Sequence, residues 1–507
     1  MPTAASWTEV RRASQDVRHL IAFRASSVRR PRAFGLAAAT FVALTVGAAT
    51  VPALLEGAGS EEGYALDALV LLPTAMAGLL FLAVASSIAS GGGRELLSRE
   101  HAVAYPVSPT TDHLGALLLA PLNIAWLIQA WVLLGLTAYG LGTSTLLAAQ
   151  LGMVVWIAAA TAVGQVVAWT VEAVRRSSHG IAVIRGAGVA LAAAAVVLQL
   201  TGRIGPTLDA LQTRWLVVGL VDGFSLRWAG SLGVELAVLV VAVALGALPA
   251  HLAARRQPRD ELKVETESYP ARRHARSPYA GLVRTDRGSV WRAVPMRRGL
   301  AVLAIGPGLV ALAGDLTWSQ MTILPGLVAS GGALLFGVNA WCLDHRGSLW
   351  RESLPVSPAT VFGARAWVLT EFLLVASFTT IVLAGLRAGV PSAAELAALL
   401  CTWVVVVLQV VSSAMRWSSR RPFAVDLRSA RATPAPPVVM VGYSTKLAVT
   451  TTLTSLIFSG LAMVDPWQIS VLVAVPFLTW SMVRMLHARD TWTDPVQRAR
   501  VVTTVAG

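Results

Sequence analysis

Arg99-Glu100 and Pro106-Val107-Ser108-Pro109 recur in the same order as Arg351-Glu352 and Pro355-Val356-Ser357-Pro358. Each copy puts a charged pair ahead of two prolines that bracket a serine. Proline has no amide donor and biases its predecessor towards extended backbone, so each copy is a rigid break in the chain. Ser108 and Ser357 stand where a side-chain oxygen would cap the helix that follows. Locally the motif reads either as an ordered turn at a membrane edge or as a surface for recognition. Its double occurrence favours a docking surface used twice, by a dimeric or pseudo-dimeric partner. The match is inexact, because Glu100 lies six residues before its proline and Glu352 three.

A second set of candidates lies inside apolar runs, where an unpaired charge costs at least about 2.5 kcal/mol. Glu235 and Glu371 are the clearest, and Asn123 and Gln165 add polar groups at comparable depth. These four are candidates for a substrate cavity or a gate, with pairing across helices as the structural alternative. The eight histidines are scattered without an HExxH pattern, and Cys342 and Cys401 show no metal-ligand spacing, so no metal site is expected. No GxxxxGK[ST] loop occurs, and the only lysines are Lys263 and Lys446. Any nucleotide used by this protein must therefore be held by another chain, and no cofactor is expected in this one.

The elements that position these residues follow from composition. Of 507 residues, 55% are hydrophobic and 13% charged, against roughly 25% charged in an average soluble domain. A soluble enzyme is excluded in practice, and the expectation is an all-α polytopic membrane protein. Apolar runs occur near 33–55, 66–90, 114–140, 144–172, 181–200 and 230–253, and resume near 299–314, 319–343, 361–386, 391–415, 440–463 and 466–486. Twelve transmembrane helices are expected from runs of this length. The chain divides into a cytoplasmic N-terminus with an interfacial helix (1–32), a first six-helix half (33–253), a basic cytoplasmic linker (254–298), a second six-helix half (299–487) and a cytoplasmic tail (488–507).

Charge fixes the orientation. The net charge is +14, with 41 basic residues. With the N-terminus inside, only Arg203, Arg214, Arg227 and Arg387 fall in outer loops, and Arg185 lies within a span. Such a bias is the signature of cytoplasmic loops, so both termini are expected inside and nucleic acid is not an expected partner. Pro106 and Pro355 are 249 residues apart, and both follow the second span of their half. Two parallel six-helix repeats account for this spacing.

On REHAVAYPVSP (Arg99 to Pro109), RESLPVSP (Arg351 to Pro358) and the Arg-rich amphipathic start from Trp7 to Phe23, the chain resembles the permease subunits of ABC transporters of the second exporter class, in the fused form that carries both halves. The resemblance implies that Arg99, Glu100, Pro106, Ser108 and Pro109, with Arg351, Glu352, Pro355, Ser357 and Pro358, belong to loops that seat in an ATP-binding subunit. Two copies of that subunit would hold the ATP and Mg, and the permease itself would not be an enzyme. It further implies export of a hydrophobic or amphipathic compound across the plasma membrane. Tyr279 to Arg298 would take the place of the interfacial helix in the second half. The alternative is an ion-gradient-driven twelve-helix secondary transporter. That family carries a GxxxDRxGRR-like loop after its second span, of which Asp344-His345-Arg346-Gly347 is a weak echo after the eighth.

Overall fold

A computed structural model of the protein describes residues 7–26, 31–89, 107–120, 124–203, 206–207, 212–256, 275–313, 316–424, 435 and 437–507. Its regular elements are helices, with no strand among the described residues. The chain forms two compact units, Met1–Tyr269 and Pro270–Gly507.

The first unit contains α1 (Trp7–Ser26), α2 (Pro31–Thr50), α3 (Tyr64–Ala89), α4 (Pro109–Leu118), α5 (Ile124–Leu141), α6 (Leu146–Arg175), α7 (Gly180–Leu200), α8 (Thr213–Val221) and α9 (Leu226–Ala254). Leu72, Met76 and Leu79 of α3 pack with Leu133 and Leu134 of α5, Met153 and Ile157 of α6 and Leu220 of α8. Half-buried indole groups packed against this core find acceptors. Trp156 donates to the Met76 carbonyl at 3.2 Å, and Trp126 to Thr161 Oγ1 at 2.7 Å. Helices α6 and α9 run the same way. Trp228 donates to the Ala148 carbonyl near their starts, while Arg176 reaches the Ala253 carbonyl and Arg256 the Ala173 carbonyl at their ends.

The second unit contains α10 (Pro278–Arg292), α11 (Val294–Ala313), α12 (Trp318–Met321), α13 (Leu324–Leu335), a 3-10 segment (Gly337–Leu343), α14 (Gly347–Glu352), α15 (Pro358–Gly385), α16 (Ala393–Arg420), α17 (Pro437–Leu461), α18 (Gln468–Thr493) and α19 (Pro495–Ala506). Its core joins Val405 of α16, Phe458 of α17 and Ala474 of α18. Further along the same pair of helices, Arg484 of α18 donates to Ser413 of α16 at 2.9 Å, so these two also run the same way. Part of the segment read as linker, 257–274, lies outside the described residues, and the rest of it carries α10.

Among the described residues, six helices are long and apolar enough to cross a membrane: α3, α6, α9, α15, α16 and α18. Two bent pairs bring the number to eight if each is one span: α10 with α11, at 83°, and α12–α13 with the following 3-10 segment, at 40°. The remaining expected runs correspond to α2, to α4 with α5, to α7 and to α17. Val240 at 65% and Leu472 at 72% exposure are typical of the outward faces. Large apolar side chains displayed this way suit lipid and not water. The protein is a multi-pass membrane protein.

Candidate functional site

The second copy of the repeated motif is described in full. Ser357 lies in extended backbone with φ −61° and ψ 141°, and its Oγ accepts from the Thr360 amide, capping α15 with Pro358 at the first turn. Arg351 and Glu352 sit at the end of α14, six and five residues upstream. Between the 3-10 segment and α14, His345 turns the chain with φ +42°, the one non-glycine residue with a left-handed backbone among those described.

Beneath this loop is a buried ionic knot that the sequence did not reveal. Arg365, one helical stretch beyond Ser357 on α15, is 0% exposed and meets Asp286 of α10 at 2.8 Å and Asp344 at 2.8 Å. Arg351 closes the network from above, at 2.5 Å from Asp286 and 2.9 Å from Asp344. Arg365 also donates to the Ala340 carbonyl and lies over the Trp341 ring at 5.4 Å. Burial alone would raise the Asp286 carboxyl, but the Arg365 and Arg351 guanidiniums hold it below the ordinary carboxylate range. With two guanidiniums and two carboxylates the knot is neutral, which is the condition for burying charge at tolerable cost.

The knot and its neighbours fix the loop to four helices. Ser418 of α16 accepts from the Ala340 amide at 2.8 Å and donates to the Gly337 carbonyl at 3.0 Å. Trp341 stacks on Trp492 of α18 with centroids 3.6 Å apart, and Trp492 donates to the Pro358 carbonyl at 3.0 Å. The C-terminal helix α19 covers the loop's other side. Arg498 meets Glu352 at 2.5 Å, Ser348 donates to the Val502 carbonyl at 3.3 Å, and Val501 and Val505 are buried. A cavity of about 30 Å³ remains between α14 and α19. Leu349 at 54% and Trp350 at 67% exposure face outward from α14.

In the first copy, Arg99, Glu100 and Pro106 lie outside the described residues. Ser108 accepts from the Thr111 amide and caps α4, with Pro109 at the first turn. The start of α4 is tied to α1 and α9: Thr110 donates to Glu9 at 2.9 Å, and His251 lies 3.0 Å from the same Glu9 oxygen.

The four polar candidates within the runs are not gathered into one place by any described contact. Asn123 lies outside the described residues. Gln165 is buried in α6 at 4% exposure. Glu371 is paired with Arg287 of α10 at 2.7 Å and is partly exposed. Glu235 differs, being 3% exposed in α9 with neither carboxyl oxygen hydrogen-bonded. Among the described residues no group of three or more His, Cys, Asp or Glu side chains is gathered as for a metal.

No family model, curated protein or solved structure matches the chain.

Proposed function

We propose that the chain is the permease of an ATP-driven exporter of the second ABC class, working with two separate ATP-binding subunits that dock on its cytoplasmic loops. The observation that carries this reading is the surface of α14. It leaves Leu349 and Trp350 uncovered by the rest of the chain while the residues around them are immobilised by the Asp286–Asp344–Arg351–Arg365 knot. An exposed Trp–Leu pair on a rigid base is the composition of an interface hot spot. Because Arg365 belongs to α15 and Asp286 to α10, a push on α14 would be delivered directly to a spanning helix and to the helix that leads into α11. Glu352 is held by Arg498 of the chain's own tail, so the contact with a partner falls to Leu349 and Trp350.

The proposed topology is twelve spans in two parallel six-helix halves with both termini cytoplasmic. The six long helices, α11, α12–α13 with the 3-10 segment that follows, and the four remaining runs make up that number, with α10 outside the membrane as the counterpart of α1. Support for the repeat comes from packing order. In each unit a charged first helix packs on the helix that a Ser-Pro cap begins, α1 on α4 and α10 on α15. In each, too, the helix expected as fourth span packs extensively and in the same direction against the sixth, α6 with α9 and α16 with α18. We assign the protein to the plasma membrane and its cargo to hydrophobic or amphipathic compounds, on the same reading.

Affinity purification of the full chain from its native membrane should recover an ATP-binding protein at two copies per permease. Leu349→Ala/Trp350→Ala should insert and melt normally yet lose that protein, since removing two hot-spot side chains costs roughly 2 kcal/mol or more each in binding. A functional chain that purifies without any ATPase, and whose transport collapses with the proton gradient alone, would favour the secondary transporter instead.

A further inference from the structure

A cluster of cations lies at the inner ends of three helices of the second unit, away from the α14 loop surface. Arg416 lies near the end of α16 and Arg421 just past it, Lys446 in the third turn of α17, and Arg484 in the last three turns of α18. Lys446 is within electrostatic reach of Arg484, Arg416 and Arg421, and Arg484 of Arg416 and Tyr443. None of these four cations has an acidic partner among the described residues. Arg484 spends one N–H on Ser413 at 2.9 Å, while its buried Nε has no partner. Arg416 and Arg484 are half-buried and Arg421 and Lys446 exposed, and four like charges gathered together repel one another unless an anion joins them.

Independent of the charges, the cluster holds unused buried donors. Tyr443 is 1% exposed, and its hydroxyl has no hydrogen-bond partner. Its ring lies 5.3 Å from that of Trp417, whose buried Nε1 also lacks a partner and whose other neighbour is Arg421, with Cζ 4.7 Å from the ring. Buried phenol and indole donors are normally satisfied. Here the unmet demand is for an acceptor, and the surrounding charge specifies that the acceptor is negative.

The apolar surface beside the cluster identifies the source of the anion. Val449 and Leu453 follow Lys446 at spacings of three and seven residues on α17, hence on one face, and are 54% and 57% exposed. This strip runs from the cationic cluster away from the Arg-rich end, which is the shape of a headgroup site with an acyl track. Basic pockets between spanning helices on the cytoplasmic side are suited to anionic lipid headgroups.

We propose that Arg416, Arg421, Tyr443, Lys446 and Arg484 bind the phosphate of an anionic phospholipid of the cytoplasmic leaflet, with an acyl chain lying along Val449 and Leu453. The site does not depend on the exporter reading. It requires only that the Arg-rich ends of the helices face the cytoplasm.

The test is a thermal-shift titration of the delipidated full chain in detergent with phosphatidylglycerol, phosphatidylcholine or inorganic phosphate. Phosphatidylglycerol should raise the melting temperature, and the other two should leave it where it was. Lys446→Gln, at an exposed position, should weaken the phosphatidylglycerol response about fivefold, the value of one surface cation to an anionic lipid. Tyr443→Phe should weaken it roughly threefold or more through loss of one hydrogen bond. Arg416→Gln/Arg484→Gln should abolish it. If that double variant fails to fold, Lys446→Gln and Tyr443→Phe decide the matter alone. An equal shift with phosphatidylcholine, the full shift with inorganic phosphate, or undiminished phosphatidylglycerol affinity in both single variants would overturn the proposal.

Discussion

Arg365 Nε donates to Asp286 Oδ2 at 2.8 Å with both side chains at 0% exposure, joining two helices through residues 79 apart in the sequence. Removing one member of such a pair strands the other charge, at a cost of about 3–5 kcal/mol. Arg365→Leu should therefore lower the melting temperature of the purified chain sharply. Arg365→Leu/Asp286→Leu should be milder than the sum of its parts, because Arg351 and Asp344, 2.9 Å apart, still balance each other. Strict additivity in this double-mutant cycle would mean the two side chains do not depend on one another.

The same pair predicts a pH response with a definite sign. The Arg365 and Arg351 guanidiniums depress the Asp286 carboxyl below its unfolded value, against the opposing effect of burial. A depressed acid contributes stability that is fully present above the unfolded pKa of about 3.9, and loses it as pH falls through the lower folded value. The gap in melting temperature between the native chain and Asp286→Asn should stay constant from pH 7 to about pH 5 and narrow below about pH 4. Narrowing already at pH 6 would point to a different group.

Ser108 and Ser357 cap α4 and α15 through the Thr111 and Thr360 amides, at 3.0 and 3.3 Å. Each serine to alanine substitution should cost about 1 kcal/mol, while serine to aspartate should retain the cap and the stability. Under the proposed docking of an ATP-binding subunit, partner binding provides a separate readout. If the serines serve only as caps, the aspartate variants keep both stability and partner binding. A contact of Ser357 with the partner would leave the melt unchanged while binding falls.

These caps were legible because they are local. A Ser-Pro pair ahead of an apolar run states its structure within four residues, and the long spans likewise announce themselves by length and hydropathy. The anchors beneath the second loop were not legible in that way. Arg365 reads in sequence as one more basic residue at a span's inner end, Asp286 as one acid in a basic linker, and Asp344 as part of an echo of another family's motif. Only tertiary packing brings the three together, and no periodicity encodes it. The sequence of 488–507 reads as a cytoplasmic tail, and that α19 covers the loop through Val501 and Val505 is not visible there, because their spacing shows a helical face but not what covers it. Tyr443 was hidden in the same manner, as an ordinary aromatic near the start of a span.

Glu235 separates packing from function most directly. It is 3% exposed on α9, and neither carboxyl oxygen has a hydrogen-bond partner, so it carries a desolvation cost with nothing visible to offset it. Glu235→Leu keeps much of the side-chain volume and removes that cost. It should stabilise the purified chain by roughly 1–3 kcal/mol, read as a higher melting temperature. A residue kept at such expense inside a membrane is a candidate for work on cargo or protons. If the chain is the exporter proposed above, the stabilised variant should transport poorly, whereas Glu235→Gln, which keeps hydrogen-bonding capacity, should retain more activity. If Glu235→Leu is both more stable and fully active in reconstituted vesicles, Glu235 has no role in transport. If it is less stable, the carboxyl is hydrated in the membrane, which places it at a water-filled cavity.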